Sequence, residues 1–312
     1  MKSSRYNIFI DKEGRKFVYN QLHSSLLEID DDLARLLKTS EIDSLEDDLK
    51  GELFRNGIIC EKTLQESHVL LAKNKQMRFA SDFARLTILP TVNCNFHCWY
   101  CYESHKESAM TEEGCERVLV FCKELIENGK LKMLQLDWFG GEPLLCFEQV
   151  VFPLSKQVKA LCQEHGITFL NTITTNGSLI TDSMIEDFME IDLLSFQITL
   201  DGGKSFHNKT RFSKEMPDSF SAIVNNISKM CRKMPSIDME VRINYTPKNL
   251  QSIDEIVEAF PKDVRHRLTI TPQLVWQFKD SANMTSPIIK EKMGKFISAG
   301  YKKTHSSLGV AP

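Results

Sequence analysis

From residue 81 onward, short apolar runs of strand length alternate with longer stretches in which apolar residues recur at helical spacing. The apolar runs predict six strands, at Leu86–Val92, Leu134–Phe139, Thr168–Thr175, Leu194–Leu200, Met239–Tyr245 and Leu268–Pro272. The helical spacing predicts helices over about 111–128, 147–165, 181–190, 217–234, 250–260 and 286–301. Six β-then-α units in succession predict an α/β fold with a parallel sheet and right-handed crossovers. We expect this sheet to curve into an open or closed barrel, with the chemistry at the carboxyl ends of its strands.

The first 80 residues follow another pattern, which predicts a small separate α+β unit. Three short strand-like runs come first, then two stretches of helical spacing, a returning strand and a helical connector. These elements are predicted at Tyr6–Asp11, Lys16–Tyr19, Ser24–Ile29, 33–37, 45–54, Ile58–Cys60 and 64–78. The order suggests a winged-helix-like module over 1–80, followed by the barrel over 81–312.

Composition and charge exclude several classes of function. The 312 residues include 39 basic and 42 acidic side chains, a net charge of −3, which argues against general nucleic-acid binding because counterion release needs a basic surface. The sequence has no run of about 18 apolar residues and no amino-terminal signal sequence, so we expect a cytoplasmic protein without a membrane span. Nine cysteines, an odd number, argue against a disulfide framework.

Three of those cysteines, Cys94, Cys98 and Cys101, fall within eight residues after the first predicted strand. Three thiolates on one loop can hold three irons of a [4Fe–4S] cube and leave the fourth iron open to a substrate or cofactor. Structural zinc is the alternative, but it needs four ligands and His97 is poorly placed to be the fourth. Simple core packing is a second alternative, which the spacing of the three does not favour. The other six cysteines continue apolar stripes or strand ends and are expected in the core.

The glycine-containing and polar motifs also follow predicted strands. Gly140-Gly141-Glu142-Pro143 follows the second strand, Thr175-Asn176-Gly177 the third, and a predicted turn at Asp201-Gly202 the fourth. On the fifth strand, Arg242 and Asn244 alternate with apolar residues and are expected to face the barrel interior. Because the carboxyl ends of parallel strands share one rim, we expect the motifs to gather near the cysteine loop.

This ordered set resembles the radical S-adenosylmethionine (radical SAM) superfamily. Phe139–Pro143 (FGGEP), Thr174–Ile180 (TTNGSLI) and Ile198–Gly202 (ITLDG) with His207-x3-Arg211 are similar to the branch with a SPASM extension, which includes peptide maturases and anaerobic sulfatase maturases. The resemblance covers about residues 84–275 and implies a partial (β/α)6 TIM-like barrel. It also implies reductive cleavage of SAM at a [4Fe–4S] cluster to a 5′-deoxyadenosyl radical, with an electron donor such as flavodoxin or ferredoxin.

The resemblance further implies roles for residues of the first two motifs. Cys94, Cys98 and Cys101 would be the cluster ligands, and Tyr100 would lie near the adenine of SAM. The segment Gly140, Gly141 and Glu142 would receive the SAM amino group, because glycines permit close approach and a carboxylate pairs with an ammonium. A tight turn with Glu142 at a helix start is the alternative.

Residues of the later strands are expected to complete the cofactor site. Thr172 (or Thr174, if the strand register differs) and Asn176 would reach the SAM carboxylate or ribose, unless they only shape a turn. Asn244 is also expected at the cofactor, and a buried Arg242 beside it would suggest an anionic ligand. His207 and Arg211 would touch SAM or substrate, or else form a surface pair.

The amino-terminal unit resembles the leader-recognition domains of peptide-modifying enzymes, through Phe17–Ile29, two helices and Gly57-Ile58-Ile59. Such domains bind a leader peptide as an added strand at a sheet edge. Residues 28–52 hold ten acidic and three basic side chains, a net of −7, which would suit a basic or amphipathic leader unless they are only a solvated face. We therefore expect a ribosomally made precursor peptide as the substrate.

Two other functions stay open on the sequence alone. One is a sulfatase-type maturase that generates formylglycine, although such enzymes usually lack a long amino-terminal domain. The other is a non-catalytic peptide-binding adaptor with a degenerate barrel. SPASM enzymes carry further cysteines after the barrel, whereas none follows Cys231 here, so we expect the chain to stop short of that extension.

Overall fold

A computed structural model of the chain describes residues 1–78, 82–127 and 129–302. Its contacts divide the chain into two compact units, Met1–Ala80 and Ser81–Pro312. The strands are β1 (Lys2–Ser3), β2 (Asn7–Lys12), β3 (Arg15–Asn20), β4 (Ser25–Ile29), β5 (Ile59–Cys60), β6 (Phe83–Ile88), β7 (His97–Cys98), β8 (Met133–Trp138), β9 (Thr168–Thr175), β10 (Leu193–Leu200), β11 (Arg211–Phe212), β12 (Asp238–Tyr245) and β13 (Leu268–Leu274). The helices are α1 (Asp31–Thr39), α2 (Asp47–Arg55), α3 (Glu66–Arg78), α4 (Glu112–Glu127), α5 (Phe152–Glu164), α6 (Asp182–Glu190), α7 (Lys204–Thr210), α8 (Ser219–Lys233), α9 (Asp254–Ala259), α10 (Lys262–Arg265) and α11 (Ala282–Ser298).

The larger unit is built on six parallel strands in the order β6-β8-β9-β10-β12-β13. Chain order and spatial order agree, as expected for successive βαβ crossovers of one hand. Among the described residues no ladder joins β6 to β13, so the sheet is an open, partial barrel. The predicted α/β barrel class is confirmed.

The two faces of this sheet have opposite chemistry because side chains alternate along each strand. Towards the helices, β8 presents the buried residues Leu134, Leu136 and Trp138, and the other strands continue this apolar layer. Towards the barrel interior, β8 presents Gln135 and Asp137, which line a polar cavity. A packed barrel would fill its interior with branched aliphatic side chains. This one leaves a polar interior, and its stability rests on the outer layer.

The smaller unit holds the antiparallel sheet β2-β3-β4 and a separate β1–β5 pair, with helices α1 to α3. Its core consists of apolar residues from β3, α1, α2 and β5, among them Val18, Leu37, Leu53 and Ile59. The expected α+β unit is therefore present. Neither unit contains, among its described residues, a helix with the length and apolar character needed to cross a bilayer.

The predicted elements differ from the structure mainly at the cysteine loop. The first barrel strand ends at Ile88, not at Val92, because Pro90 cannot donate to a ladder. The carbonyls of Thr91 and Asn93 instead accept hydrogen bonds from the loop that follows β8. The short helix α7 and the β7–β11 pair were not predicted, since both are too short to show a periodic pattern.

Candidate functional site

The cysteine loop lies between β6 and α4, at the carboxyl end of the first barrel strand. Cys98 belongs to β7, which pairs antiparallel with β11 so that Cys98 stands opposite Arg211. Cys94 and Cys98 are half-buried, and Cys101 is exposed. Two backbone pairings, to β11 on one side and to the loop after β8 on the other, therefore hold the three thiols at the rim.

The two glycines after β8 let that loop press against the cysteine loop. Gly141 donates its N–H to the carbonyl of Thr91 at 3.1 Å, and Glu142 donates its own to Asn93 at 2.8 Å. Gly140 has φ +116°, a conformation that other residues rarely adopt, and a Cβ added to Gly141 would collide with the Asn93 carbonyl. The glycines thus serve a contact between two protein loops. The predicted contact of this segment with the SAM amino group stays a prediction.

The carboxylate of Glu142 lies fully buried between three loops. It accepts hydrogen bonds from the Leu144 N–H at 3.1 Å, the Thr175 hydroxyl at 2.6 Å and the Asn176 N–H at 2.7 Å. Burial raises its pKa, and these three donors act in the opposite direction. Glu142 therefore ties the turn after β9 to the turn after β8, and its charge is already met by protein donors.

Asn176 continues this chain of contacts to the cysteines. Its amide donates to the Asn95 side chain at 2.8 Å and points to the Cys94 sulfur at 3.9 Å. The N–H of Phe96 also donates to that sulfur, at 3.4 Å. Burial is the main cause that raises the pKa of Cys94. Asn176 thus helps to fix the first thiol, in addition to the turn role that Asn-Gly alone would suggest.

Tyr100 is the centre of a second network. Its hydroxyl donates to Asp201 Oδ2 at 2.6 Å and accepts from Arg211 Nη1 at 2.8 Å and Asn244 Nδ2 at 3.1 Å. Arg242 Nε donates to Asn244 Oδ1 at 2.9 Å, so this row extends along the interior face of β12. Burial raises the pKa of Tyr100 well above its usual value of 10. The phenol is therefore a neutral bridge between three strand ends and the cysteine loop.

This network contains buried polar atoms that have no partner among the described residues: Asp201 Oδ1, Arg211 Nε and His207 Nε2. The Asp201 side chain is 1% exposed and that of Arg211 is 11% exposed. Buried polar groups are normally hydrogen-bonded, so an unpaired one in a native site indicates a ligand, a water or an ion. Arg211 stands opposite Cys98 across β11 and β7, and the charges of both Arg211 and Asp201 act on the pKa of the Cys98 thiol.

His207 fills the space behind Asp201. It is fully buried, accepts the Asp201 N–H on Nδ1 at 3.3 Å and meets the Phe220 ring edge-on. Burial and the nearby Arg211 lower its pKa to about 3, so it is neutral at ordinary pH. The surface pair of His207 with Arg211, one of the two expected arrangements, is therefore wrong, because both side chains point inward from α7 and β11.

Thr172 lies elsewhere on the interior face. Its hydroxyl donates to Asp137 on the neighbouring strand, and Asp137 also pairs with Arg85 at 2.8 Å. Both residues line a cavity of about 240 Å³. Thr172 is three residues before the end of β9, roughly 10 Å along the strand from Thr175. The structure thus gives Thr172 a partner within the barrel, and its predicted contact with SAM stays a prediction.

Sequence reasoning treated Asp201 only as part of a turn. Gly202 does turn, with φ +96°, but the Asp201 side chain points back to Tyr100. Its position after the fourth strand, with an arginine ten residues later, was the available signal. His105 was also missed: it lies 3.2 Å from the Cys101 sulfur, and no spacing rule distinguishes it from His97.

A model of the radical SAM superfamily matches residues 88–260, more than half of the chain. The chain belongs to the radical SAM superfamily. Proteins of this superfamily use SAM and a [4Fe–4S] cluster. Among the described residues, no three histidine, cysteine, aspartate or glutamate side chains gather as a site for a single metal ion.

The chain is similar in sequence to one known protein and in fold to two others. A serine-type anaerobic sulfatase-maturating enzyme of Bacteroides thetaiotaomicron is 31% identical over 146 residues, which cover 43% of this chain and 33% of that protein. The structure of anSMEcpe with bound AdoMet covers 72% of this chain and 64% of its own, with TM-score 0.55 and 18% identity. The structure of Streptococcus suis SuiB bound to S-adenosylmethionine matches 99% of this chain and 73% of SuiB, with TM-score 0.50 and 18% identity. At these identities the two structures show a shared fold, and the chain spans about a third of the curated relative.

The residues at the rim fit the two cofactors of the superfamily. Three thiols on one loop supply three ligands and leave one iron free. Next to them, the unpartnered Arg211 Nε suits a carboxylate, and the unpartnered Asp201 Oδ1 suits a hydroxyl or ammonium. SAM carries groups of each kind. The chemistry of the donors therefore agrees with the family assignment.

Proposed function

We propose that this chain contains the radical SAM core of an enzyme that modifies a ribosomally made precursor peptide. In that core Cys94, Cys98 and Cys101 hold the cluster. When bound, the cluster and SAM together supply a 5′-deoxyadenosyl radical that abstracts hydrogen from the peptide. The observation that carries this proposal is the cysteine loop, which two neighbouring loops fix beside unpartnered buried polar atoms.

The chain's own residues would bind and orient SAM at the rim. Arg211, held between Tyr100 and the Phe96 ring, directs an unpartnered N–H to the site, where a carboxylate would complete it. Asp201 keeps one oxygen for Tyr100 and one free. Glu142 and Asn176 keep the turn after β9 against Cys94. A ligand that satisfies the two free atoms would be favoured, because a buried unpaired charged group costs several kcal/mol.

The polar interior of the barrel supports a substrate that enters below the rim. A cavity of about 240 Å³ lies there, lined by hydroxyl, amide and carboxylate side chains. Such an interior can accept a polar peptide side chain, which a filled aliphatic interior could not. We infer that the modified residue approaches the cofactor through this part of the barrel. A flavodoxin or a ferredoxin would supply the electron.

The amino-terminal unit favours peptide modification over sulfatase maturation. SuiB matches 99% of this chain, which includes that unit, whereas anSMEcpe matches 72%. SuiB has also been solved with its precursor peptide SuiA bound. Two edges of the sheet β2-β3-β4 remain available among the described strands, and an added leader strand would use one of them.

A sulfatase-type maturase is the second candidate, and one observation favours it. The Bacteroides maturase is the relative with 31% identity, although over 146 residues only. Formylglycine formation needs the same cluster and the same radical, so the two candidates differ in substrate. A non-catalytic adaptor is disfavoured by the intact cysteines and the free polar atoms at the rim.

One experiment tests the proposal in two stages. The full chain, reconstituted anaerobically with iron and sulfide and then reduced, should slowly convert SAM to 5′-deoxyadenosine and methionine. A small precursor peptide encoded beside the gene should then increase this rate and change in mass. SAM cleavage that a sulfatase peptide stimulates, and the precursor does not, would favour the maturase. A reconstituted chain with no SAM cleavage at all would contradict both and leave the adaptor.

A further inference from the structure

The side chain of Asn249 joins the ends of two central strands. It lies in the segment after β12 and is 2% exposed. Its amide nitrogen donates to the Asp201 carbonyl at 3.1 Å and to the Asn244 carbonyl at 3.0 Å. Its oxygen accepts the Thr246 N–H at 2.7 Å. Both amide protons are therefore used on backbone carbonyls, and the amide oxygen also accepts from the Thr246 hydroxyl at 3.5 Å.

These contacts begin where the sheet ladder stops. The last registered pair between β10 and β12 is Leu200 with Ile243, one residue before Asp201 and Asn244. Beyond that pair the ladder between β10 and β12 stops, and the next carbonyls of the two strands need other donors. The Asn249 amide supplies both donors. The Asn249 side chain thus links the two strands beyond the end of their ladder and sets the separation of the strand ends.

The same two residues bind Tyr100 with their side chains. Asp201 accepts from the Tyr100 hydroxyl at 2.6 Å, and Asn244 donates to it at 3.1 Å. Tyr100 stands between Cys98 and Cys101 in the cysteine loop. A change in the separation of Asp201 and Asn244 therefore moves the two groups that hold the Tyr100 hydroxyl. It also changes the position of the free Asp201 oxygen relative to the cysteines.

We propose that Asn249 is a positioning residue, which places Asp201 and Asn244 so that the rim can bind SAM. This inference rests on the proposed function, because it takes SAM as the ligand of the rim. Asn249 itself makes no contact with the cysteines among the contacts the structure records. Its effect on SAM passes through the backbone at Asp201 and Asn244.

Asn171 offers a matched control. It is 3% exposed, its amide donates to the Ile191 carbonyl at 3.0 Å, and its oxygen accepts the Trp138 indole N–H at 2.9 Å. In both residues, a change of asparagine to aspartate keeps the shape and the acceptor but removes the donors to backbone carbonyls. Asn171 lies on the helix side of β9, away from the rim network.

The experiment compares full-length Asn249→Asp and Asn171→Asp with the wild type after reconstitution. We expect Asn249→Asp to weaken SAM binding about tenfold or more by equilibrium dialysis, and Asn171→Asp to change it less than about twofold. The reduced cluster of wild type and Asn171→Asp should change its EPR spectrum on addition of SAM, at a SAM concentration that leaves Asn249→Asp unchanged. In the iron-free chains, amide hydrogen exchange should rise around residues 200–203 and 243–246 only in Asn249→Asp.

The outcomes separate this inference from the function on which it rests. Equal SAM affinities in the two variants, or equal exchange at the two strand ends, would overturn the positioning role and leave the proposed function intact. If Asn249→Asp does not fold, Asn249→Ser, which keeps one donor, takes its place with Asn171→Ser as its control. A wild-type chain that takes up iron but binds no SAM would overturn the proposed function, and this inference with it.

Discussion

The barrel rim and the amino-terminal sheet each lack a partner, but in different ways. At the rim, buried polar side-chain atoms of Asp201, Arg211 and His207 lack partners within the described part of the chain. In residues 1–78, no described buried side-chain polar atom does. There the exposed features are apolar: Ile8, Ile10 and Leu26 lie 42%, 40% and 59% exposed on one face of the sheet.

The difference indicates two kinds of ligand. Unpartnered charged atoms in a buried site call for a small molecule of complementary polarity, held at fixed positions. An open sheet edge beside exposed aliphatic residues is suited to an extended chain, which adds backbone hydrogen bonds and covers apolar surface. The first region should therefore respond strongly to single substitutions, and the second only weakly.

The largest effect is expected from loss of the three loop cysteines. The wild-type chain should bind about four irons after anaerobic reconstitution, and the triple variant Cys94→Ala, Cys98→Ala, Cys101→Ala should bind none, because it lacks every thiol of the cysteine loop. Cys60→Ala is the control and should keep all iron. Iron and absorbance at about 400 nm, measured together, check the result. Stoichiometric zinc without iron uptake would contradict the assignment.

Glu142 should give the next largest effect. In Glu142→Ala, three buried donors on Leu144, Thr175 and Asn176 lose their acceptor, which should lower the free energy of unfolding by roughly 3 kcal/mol or more. Glu142→Gln keeps an oxygen acceptor and should lose less. Urea unfolding of the iron-free chain measures both. If Glu142 instead serves mainly the SAM ammonium, the two variants will unfold like the wild type and differ only in SAM affinity.

The parallel sheet and most strand positions could be predicted because the apolar outer layer carries the periodic signal. Leu134, Leu136 and Trp138 alternate with polar residues, and this alternation is legible without any tertiary information. The cysteine loop was also predictable, since its ligands are adjacent in sequence. The path of the chain beyond Ile88 was not, because the carbonyls of Thr91 and Asn93 pair with a loop fifty residues later.

The rim network could be predicted only in part, for the same physical reason. Tyr100, Asn176 and Asn244 were expected at the site, and the structure brings all three to the cysteine loop or its neighbours. Asp201 and Asn249 escaped notice because their roles arise from hydrogen bonds between strands far apart in sequence. A turn motif has the same sequence whether its aspartate faces solvent or a tyrosine.

His207 should make the rim sensitive to acid. Its pKa is about 3 in the folded chain against 6.5 for an ordinary histidine, so the unfolded chain binds the proton more readily between these values. Stability should therefore fall as the pH drops below about 6.5 and continue to fall towards pH 3, by about 2 kcal/mol between pH 6.5 and 5. The variant His207→Asn, whose oxygen can accept the Asp201 N–H, should lack this contribution. The measurement is the difference between the two unfolding curves across pH, and parallel curves would show that His207 is not kept neutral by the fold.

The smallest effects of single substitutions are expected at the amino-terminal sheet. A precursor leader bound as an added strand would depend mainly on backbone hydrogen bonds, so most single leader substitutions should weaken binding less than about tenfold. A proline within the paired segment should weaken it further, because proline cannot donate to the ladder. Leu26→Asp and Ile10→Asp in the full chain should show which sheet edge is used, since each places a charge on one edge strand.

Glu142→Gln at the rim should leave leader affinity unchanged, and Leu26→Asp should leave SAM cleavage without peptide unchanged. Fluorescence anisotropy with a labelled precursor measures the leader affinity, and release of 5′-deoxyadenosine measures SAM cleavage. Leader binding that follows the rim variants and ignores the sheet variants would mean that the peptide is recognised by the barrel, and the contrast between the two regions would no longer hold.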